Sequence, residues 1–143
     1  MAVVTVASEF AYVVFMLIAS AFVNVAMGFG VGAARKKYKV PYPTMYASAQ
    51  EHGADNANAF NCTQRGHQNV LENYPVFIML SVLSGLQWPL VTAGAQALYT
   101  AGKWMYFKGY STGDPAKRMQ GSIAYIGLIT MIVGSVAFGV SLL

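Results

Sequence analysis

Four groups of residues in this sequence could do chemistry: Arg35 and Lys36; Arg65, His67, Asn69 and Glu72; Lys103, Tyr106 and Tyr110; Lys117 and Arg118. Arg65, Asn69 and Glu72 stand four and three residues apart, so a helix puts them on one face. Tyr99, Lys103, Tyr106 and Tyr110 share a face of another helix by their four, three, four spacing. Brought together, these side chains offer several cations, one carboxylate, an amide and two phenols. Such a set suits a small zwitterion with more negative than positive charge. An arginine fork grips a carboxylate at two points. Glu72 can take an ammonium, and Asn69 can bond a peptide group. A spare cation can hold an anion that develops during reaction. No metal site is implied, because His52 and His67 lie in separate contexts without Cys or carboxylate ligands at usable spacing.

The elements that must position these residues are membrane helices. The 143 residues are 56% hydrophobic and only 10% charged, with mean hydropathy +0.46. A soluble domain carries about 25% charged residues, so the composition predicts an integral membrane protein of one domain, residues 1–143. A span needs about 20 apolar residues. The apolar runs predict four spans, at about 10–34, 61–88, 89–107 and 116–143, and an all-α, four-helix membrane bundle. Trp88-Pro89 separates the second from the third, with proline at a first helical position. Gly113-Asp114-Pro115 supplies a turn, a capping carboxylate and a starting proline for the fourth. The N-terminus lacks Lys and Arg and its apolar run is too long for a signal peptide, so the first run reads as a retained span.

Arg35, Lys36, Lys37 and Lys39 follow the first span, and Lys108, Lys117 and Arg118 follow the third. Lys and Arg concentrate in cytoplasmic loops, so loops one and three are expected in the cytosol. All four chemical groups then meet at the cytosolic border. The sequon Asn61-Cys62-Thr63 is expected to stay unmodified on that side. Pro41 to Tyr46 predicts an ordered start to loop one, and Ala49 to Ala59 a mobile middle. Trp88 and Trp104 read as an interfacial belt. Pro75 is expected to kink the second helix and free the Leu71 carbonyl. Cys62 is the only cysteine, so no intrachain disulfide forms. The basic residues form no nucleic-acid-like stripe, which argues against nucleic-acid binding.

The blocks ARKKYKV (34–40), FNCTQRGHQNVLENYP (60–75) and YFKGYSTGDPAKR (106–118) resemble the membrane-associated proteins in eicosanoid and glutathione metabolism, most closely the type-three microsomal glutathione S-transferase branch. The signature Asn69-Glu72-Pro75 lies within the second block, and the resemblance covers all four spans in order. It implies a homotrimer in the membrane lipid, with a glutathione site between subunits on the cytosolic side, open sideways to lipid. Carried over by position, Arg35, Arg65, Asn69, Glu72, Tyr106 and Tyr110 would hold glutathione. Lys117 falls where the leukotriene C synthase of the family has a functional arginine, and a shift of one residue puts Arg118 there. His67 matches a polar contact. That synthase activates the thiol with an arginine where this chain has Lys36, and has a tyrosine where this chain has Asn73.

The expected activity is that of a glutathione transferase with glutathione-dependent peroxidase activity on lipophilic electrophiles or lipid hydroperoxides, with leukotriene C synthase-like activity included. Glutathione is the cosubstrate and no metal is needed. A thiol titrates near pH 8.5, so little is thiolate at neutral pH. One cation about 4 Å from the sulfur, at an effective dielectric near 20, is worth up to roughly 4 kcal/mol before solvation losses. A third of that lowers the thiol pKa by about one. Arg35, Lys36 and Lys117 are the catalytic candidates. The endoplasmic reticulum is the first expected location, with outer mitochondrial or plastid membranes as alternatives. The competing reading is a non-catalytic membrane scaffold that presents fatty acids to a partner enzyme.

Overall fold

The computed structural model describes residues 6–143; the reading of the extreme N-terminus as lacking basic residues concerns in part residues 1–5, outside that range. The regular elements are α1 (Phe10–Tyr38), α2 (Ala49–His52), α3 (Ala54–Gly85), α4 (Pro89–Tyr110), a 3-10 helix (Pro115–Gly121) and α5 (Ala124–Val140). Among the described residues there is no strand. The expected four helices are therefore corrected to six helical segments.

Two local causes account for the difference. The middle of loop one is helical, where mobility was expected. Ser48 caps α2 by accepting from the Glu51 amide at 3.4 Å, and α3 starts at Ala54, seven residues before the expected boundary. Ala57 and Phe60 hold that extra length, because they bury themselves against Ala34, Val40 and Ala47. At the other end, the Asp114 carboxylate accepts from the Ala116 amide at 3.0 Å and Pro115 begins a helix, as expected. That helix is a 3-10 turn, bent by 50° from α5. The bend falls where Gly121 lies against the Gly102 carbonyl and Tyr106, an approach that no Cβ could enter. α3 runs through Pro75 as one helix.

α3 and α4 form the centre. α1 packs on both of them, and α5 packs on both without a substantial interface to α1. Phe77, Leu80, Ala95, Tyr99, Ala124 and Met131 are buried where α3, α4 and α5 meet, with Phe77 stacked on Tyr99 at 4.5 Å. Met27, Val31, Val70 and Phe107 join α1 to the same pair. Polar side chains also occur inside. Gln96 is fully buried and donates to the Val13 carbonyl; Ser84 bonds Thr92 at 2.8 Å and Ser20 bonds Tyr74 at 2.9 Å. The outside is apolar. Phe15, Phe22 and Phe29 on α1 are 65–75% exposed, and α5 presents Ile129, Val133 and Val136 outward. Large exposed apolar surface of this kind marks contact with lipid or another chain.

Among the described residues, only α1 is by itself long and apolar enough to cross a bilayer; the 3-10 helix and α5, taken as one bent element, make a second candidate. α3 and α4, at 32 and 22 residues, have the length but carry polar residues such as Arg65, Glu72, Lys103 and Lys108.

Candidate functional site

α3 supplies Asn69 and Asn73, α4 supplies Tyr99, Lys103 and Tyr106, and the segment after α4 supplies Arg118, Ser122 and Tyr125. Together they line a cavity of about 360 Å³. Helical spacing puts them there. Asn69 and Asn73 are one turn apart, as are Tyr99 and Lys103, so each pair faces the same gap.

The two amides are oriented by their neighbours. The Lys103 ammonium donates to Asn69 Oδ1 at 3.1 Å, which leaves the Asn69 NH₂ group to donate elsewhere. The Asn73 NH₂ group donates to the Asn69 main-chain carbonyl at 2.7 Å, which leaves Asn73 Oδ1 to accept. One donor and one acceptor side by side match the C=O and N–H of a peptide group. Lys103 also lies 5.4 Å from the Tyr99 ring centre and 5.6 Å from that of Tyr106. Arg118 lies 5.6 Å from the Tyr110 ring, which meets Tyr106 edge-on. The rim of α3 carries Arg65 and Glu72, two turns apart and paired at 2.7 Å, both partly exposed.

The end of α1 builds a different cavity, of about 730 Å³, lined by Gly28, Phe29, Arg35, Lys36, Lys39 and Tyr42. Arg35 is buried there. Its guanidinium donates to the Thr44 carbonyl at 2.8 Å and the Val40 carbonyl at 3.5 Å, between the rings of Tyr42 and Phe60. It ties the returning loop to α1. Lys36 is exposed beside it. The two cavities share no lining residue.

A family model described as MAPEG family matches residues 13–138. The chain belongs to the MAPEG family. Relatives named microsomal glutathione S-transferase 2 are similar to it. The Homo sapiens protein is 32% identical over 112 residues, 78% of this chain and 69% of its own length. The Mus musculus protein is 30% identical over the same shares, and the Bos taurus protein 31% over 77% and 69%. The sequence blocks resembled the type-three branch, and these three relatives carry the type 2 name.

Within this MAPEG chain the expected site residues separate into three sets. Asn69, Asn73, Tyr106 and Arg118 line the cavity between α3, α4 and the segment that follows. Tyr110, Arg65 and Glu72 lie outside the cavity wall on the same helices. Arg35, Lys36, His67 and Lys117 are elsewhere. His67 Nε2 bonds Asn24 Oδ1 of α1 at 2.9 Å, an internal cross-link. Lys117 Nζ is 4.0 Å from Asp114 Oδ2. Within one protomer the end of α1 and the α3–α4 wall line separate cavities; the expectation placed these groups at one membrane border with the ligand between subunits. Tyr99 and Lys103, which the spacing put on one helix face with Tyr106 and Tyr110, also line this cavity, although no ligand contact was assigned to them. Gly109-Tyr110-Ser111-Thr112-Gly113 spells the GxSxG pattern of a nucleophile elbow. It ends a helix here, and Ser111 donates to the Phe107 carbonyl at 2.7 Å, so the strand-turn-helix context is lacking.

Proposed function

We propose that this protein is a membrane glutathione transferase, with glutathione-dependent peroxidase activity towards lipid hydroperoxides as its second reaction. Family membership and relatives named glutathione S-transferases support the transferase. The observation that carries the reading to this chain is the oriented amide pair Asn69 and Asn73, next to Tyr106, Arg118 and the Arg65–Glu72 rim. Glutathione is a peptide with one ammonium and two carboxylates. The amides suit its peptide link, and the rim pair suits its zwitterionic end. Arg118, which lines the cavity, replaces Lys117 as the cation of the segment after α4. Lys36 is the thiol-activating candidate in place of Arg35, whose guanidinium is committed to main-chain carbonyls.

In conjugation, the thiolate attacks an electrophile that arrives from the bilayer, and the sulfur–carbon bond replaces the bond to the leaving group or adds across a double bond. In peroxide reduction, the thiolate attacks a peroxide oxygen. The O–O bond breaks, the alcohol leaves with a proton, and a second glutathione converts the sulfenic acid to disulfide and water. Because Lys36 lines a cavity separate from that of Asn69, a complete site takes α1 from one copy and α3 with α4 from another, in a homotrimer of four-span protomers with its site towards the cytosol of the endoplasmic reticulum. The test is ultraviolet difference absorbance of the glutathione thiolate on detergent-purified protein at neutral pH, with Lys36→Met as the comparison. A thiolate signal in the wild type that is lost in the variant, with binding retained, is expected. Glutathione binding without any thiolate signal would overturn the enzyme reading in favour of a lipid-binding scaffold.

A further inference from the structure

Lys103 is a half-buried cation in the middle of α4. Among the described residues the ion pairs join Arg65 to Glu72, Lys117 to Asp114 and His52 to Glu51, and none includes Lys103. Its hydrogen-bond partner is the neutral Asn69 amide. One turn earlier, Tyr99 is 3% exposed, and its hydroxyl has no hydrogen-bond partner among the described residues. Both side chains line the cavity with Asn69, Tyr106 and Arg118. A buried hydroxyl without a partner is costly, and a cation in such a setting is expected to face a partner or ligand. An ammonium at the cavity wall, with a buried, partnerless phenol one helical turn away on the same face, forms a site for an anion.

We propose that Lys103 and the Tyr99 hydroxyl form an anion-binding floor that takes a carboxylate of glutathione. The inference rests on the glutathione reading above and assigns it a contact. The Arg65–Glu72 pair matches the end of the peptide that carries both an ammonium and a carboxylate. The other carboxylate, on the glycyl residue, then needs its own cation, and Lys103 stands beside the amide pair at the cavity wall, 3.1 Å from Asn69 Oδ1. Lys103 also fixes the Asn69 amide, so loss of affinity in a variant would not separate the two roles. Discrimination between the acid and an ester does.

The experiment is a calorimetric titration of purified protein with glutathione and with its glycyl ethyl ester. The wild type is expected to bind the ester about tenfold or more weakly than the acid, the usual effect of losing a charge-assisted hydrogen bond. Lys103→Met is expected to lose that discrimination, and Lys103→Arg to keep most of it. Tyr99→Phe, nearly isosteric, reports if Lys103→Met fails to fold; it is expected to weaken acid binding several-fold and ester binding little. A wild type that binds acid and ester equally, or a Lys103→Met protein that discriminates as well as the wild type, overturns the carboxylate floor while the glutathione reading stands. A wild type that binds neither overturns both.

Discussion

Arg65 and Glu72 satisfy one another at 2.7 Å with both side chains 40% or more exposed, and an exposed pair contributes only about 0–1 kcal/mol to stability. The pair is therefore cheap to open for a ligand. Glu72→Ala is expected to leave the melting temperature in detergent nearly unchanged and to weaken glutathione binding about tenfold or more, the cost of losing a charged hydrogen bond. Unchanged affinity would remove Glu72 from the site. The neighbours Lys117 and Arg118 give a second contrast. Arg118→Ala is expected to lower glutathione affinity by a similar factor, and Lys117→Ala to change it less than about twofold, since an exposed lysine near Asp114 contributes little. The reverse order would restore Lys117. At this scale the sequence was informative where spacing and residue type agree. Asn69, Asn73, Tyr106 and Arg118 do line one cavity. The contacts that Arg35 and His67 make inside the protomer were not legible, because residue type does not tell which of the chain's own oxygens a donor meets. Arg35 meets the Thr44 carbonyl only because the loop folds back, and His67 meets Asn24 only because α1 crosses α3 there.

The helices owe their packing to small residues. A Cβ on Gly102 would run into the Ala124 backbone, and one on Gly127 into the Ala95 carbonyl, so α4 and α5 touch main chain to main chain, as membrane helices often do. Gly102→Val is expected to cost about 1–3 kcal/mol through overpacking, read as a lower melting temperature. Gly94→Ala on the same helix, where an added Cβ meets nothing, is expected to be neutral or to stabilise by about 0.5–1 kcal/mol. Loop one is held by a comparable local device. The Asn61 amide bonds the Ala47 main chain twice, accepting at 2.7 Å and donating at 2.9 Å. Asn61→Ala is expected to cost about 1–3 kcal/mol, and glycosidase treatment of the protein from eukaryotic cells is expected to leave its mass unchanged, because this amide is already engaged within a helix. The long apolar runs made α1 and the body of α3 to α5 legible. α2 and the first turns of α3 were not, since Ala49 to Ala59 is polar and mixed, and what makes it helical is the burial of Ala57 and Phe60 against a distant part of the chain. The fourth apolar run was read as one span because hydropathy carries no sign of a bend. The contact of Gly121 with Gly102 and Tyr106, which sets the bend, is a tertiary fact.

At the scale of the molecule, the apolar phenylalanines of α1 and the branched side chains of α5 face outward while Gln96, Ser84 and Thr92 lie inside. The composition predicted a membrane protein, though the buried clusters are apolar as well. It did not announce that the Lys36 cavity and the Asn69 cavity open in different parts of the protomer, because periodicity places residues on helix faces and is silent on which faces look at the same space. That separation has a genetic consequence. If a working site takes α1 from one copy and α3 with α4 from another, a chain crippled at Lys36 and a chain crippled at Asn69 are each inactive alone, yet they complement when co-expressed. Random co-assembly of equal amounts restores about one quarter of the interfaces of a cyclic oligomer. Alleles of the two kinds would rescue one another in a cell that carries both, and two alleles of the same kind would not.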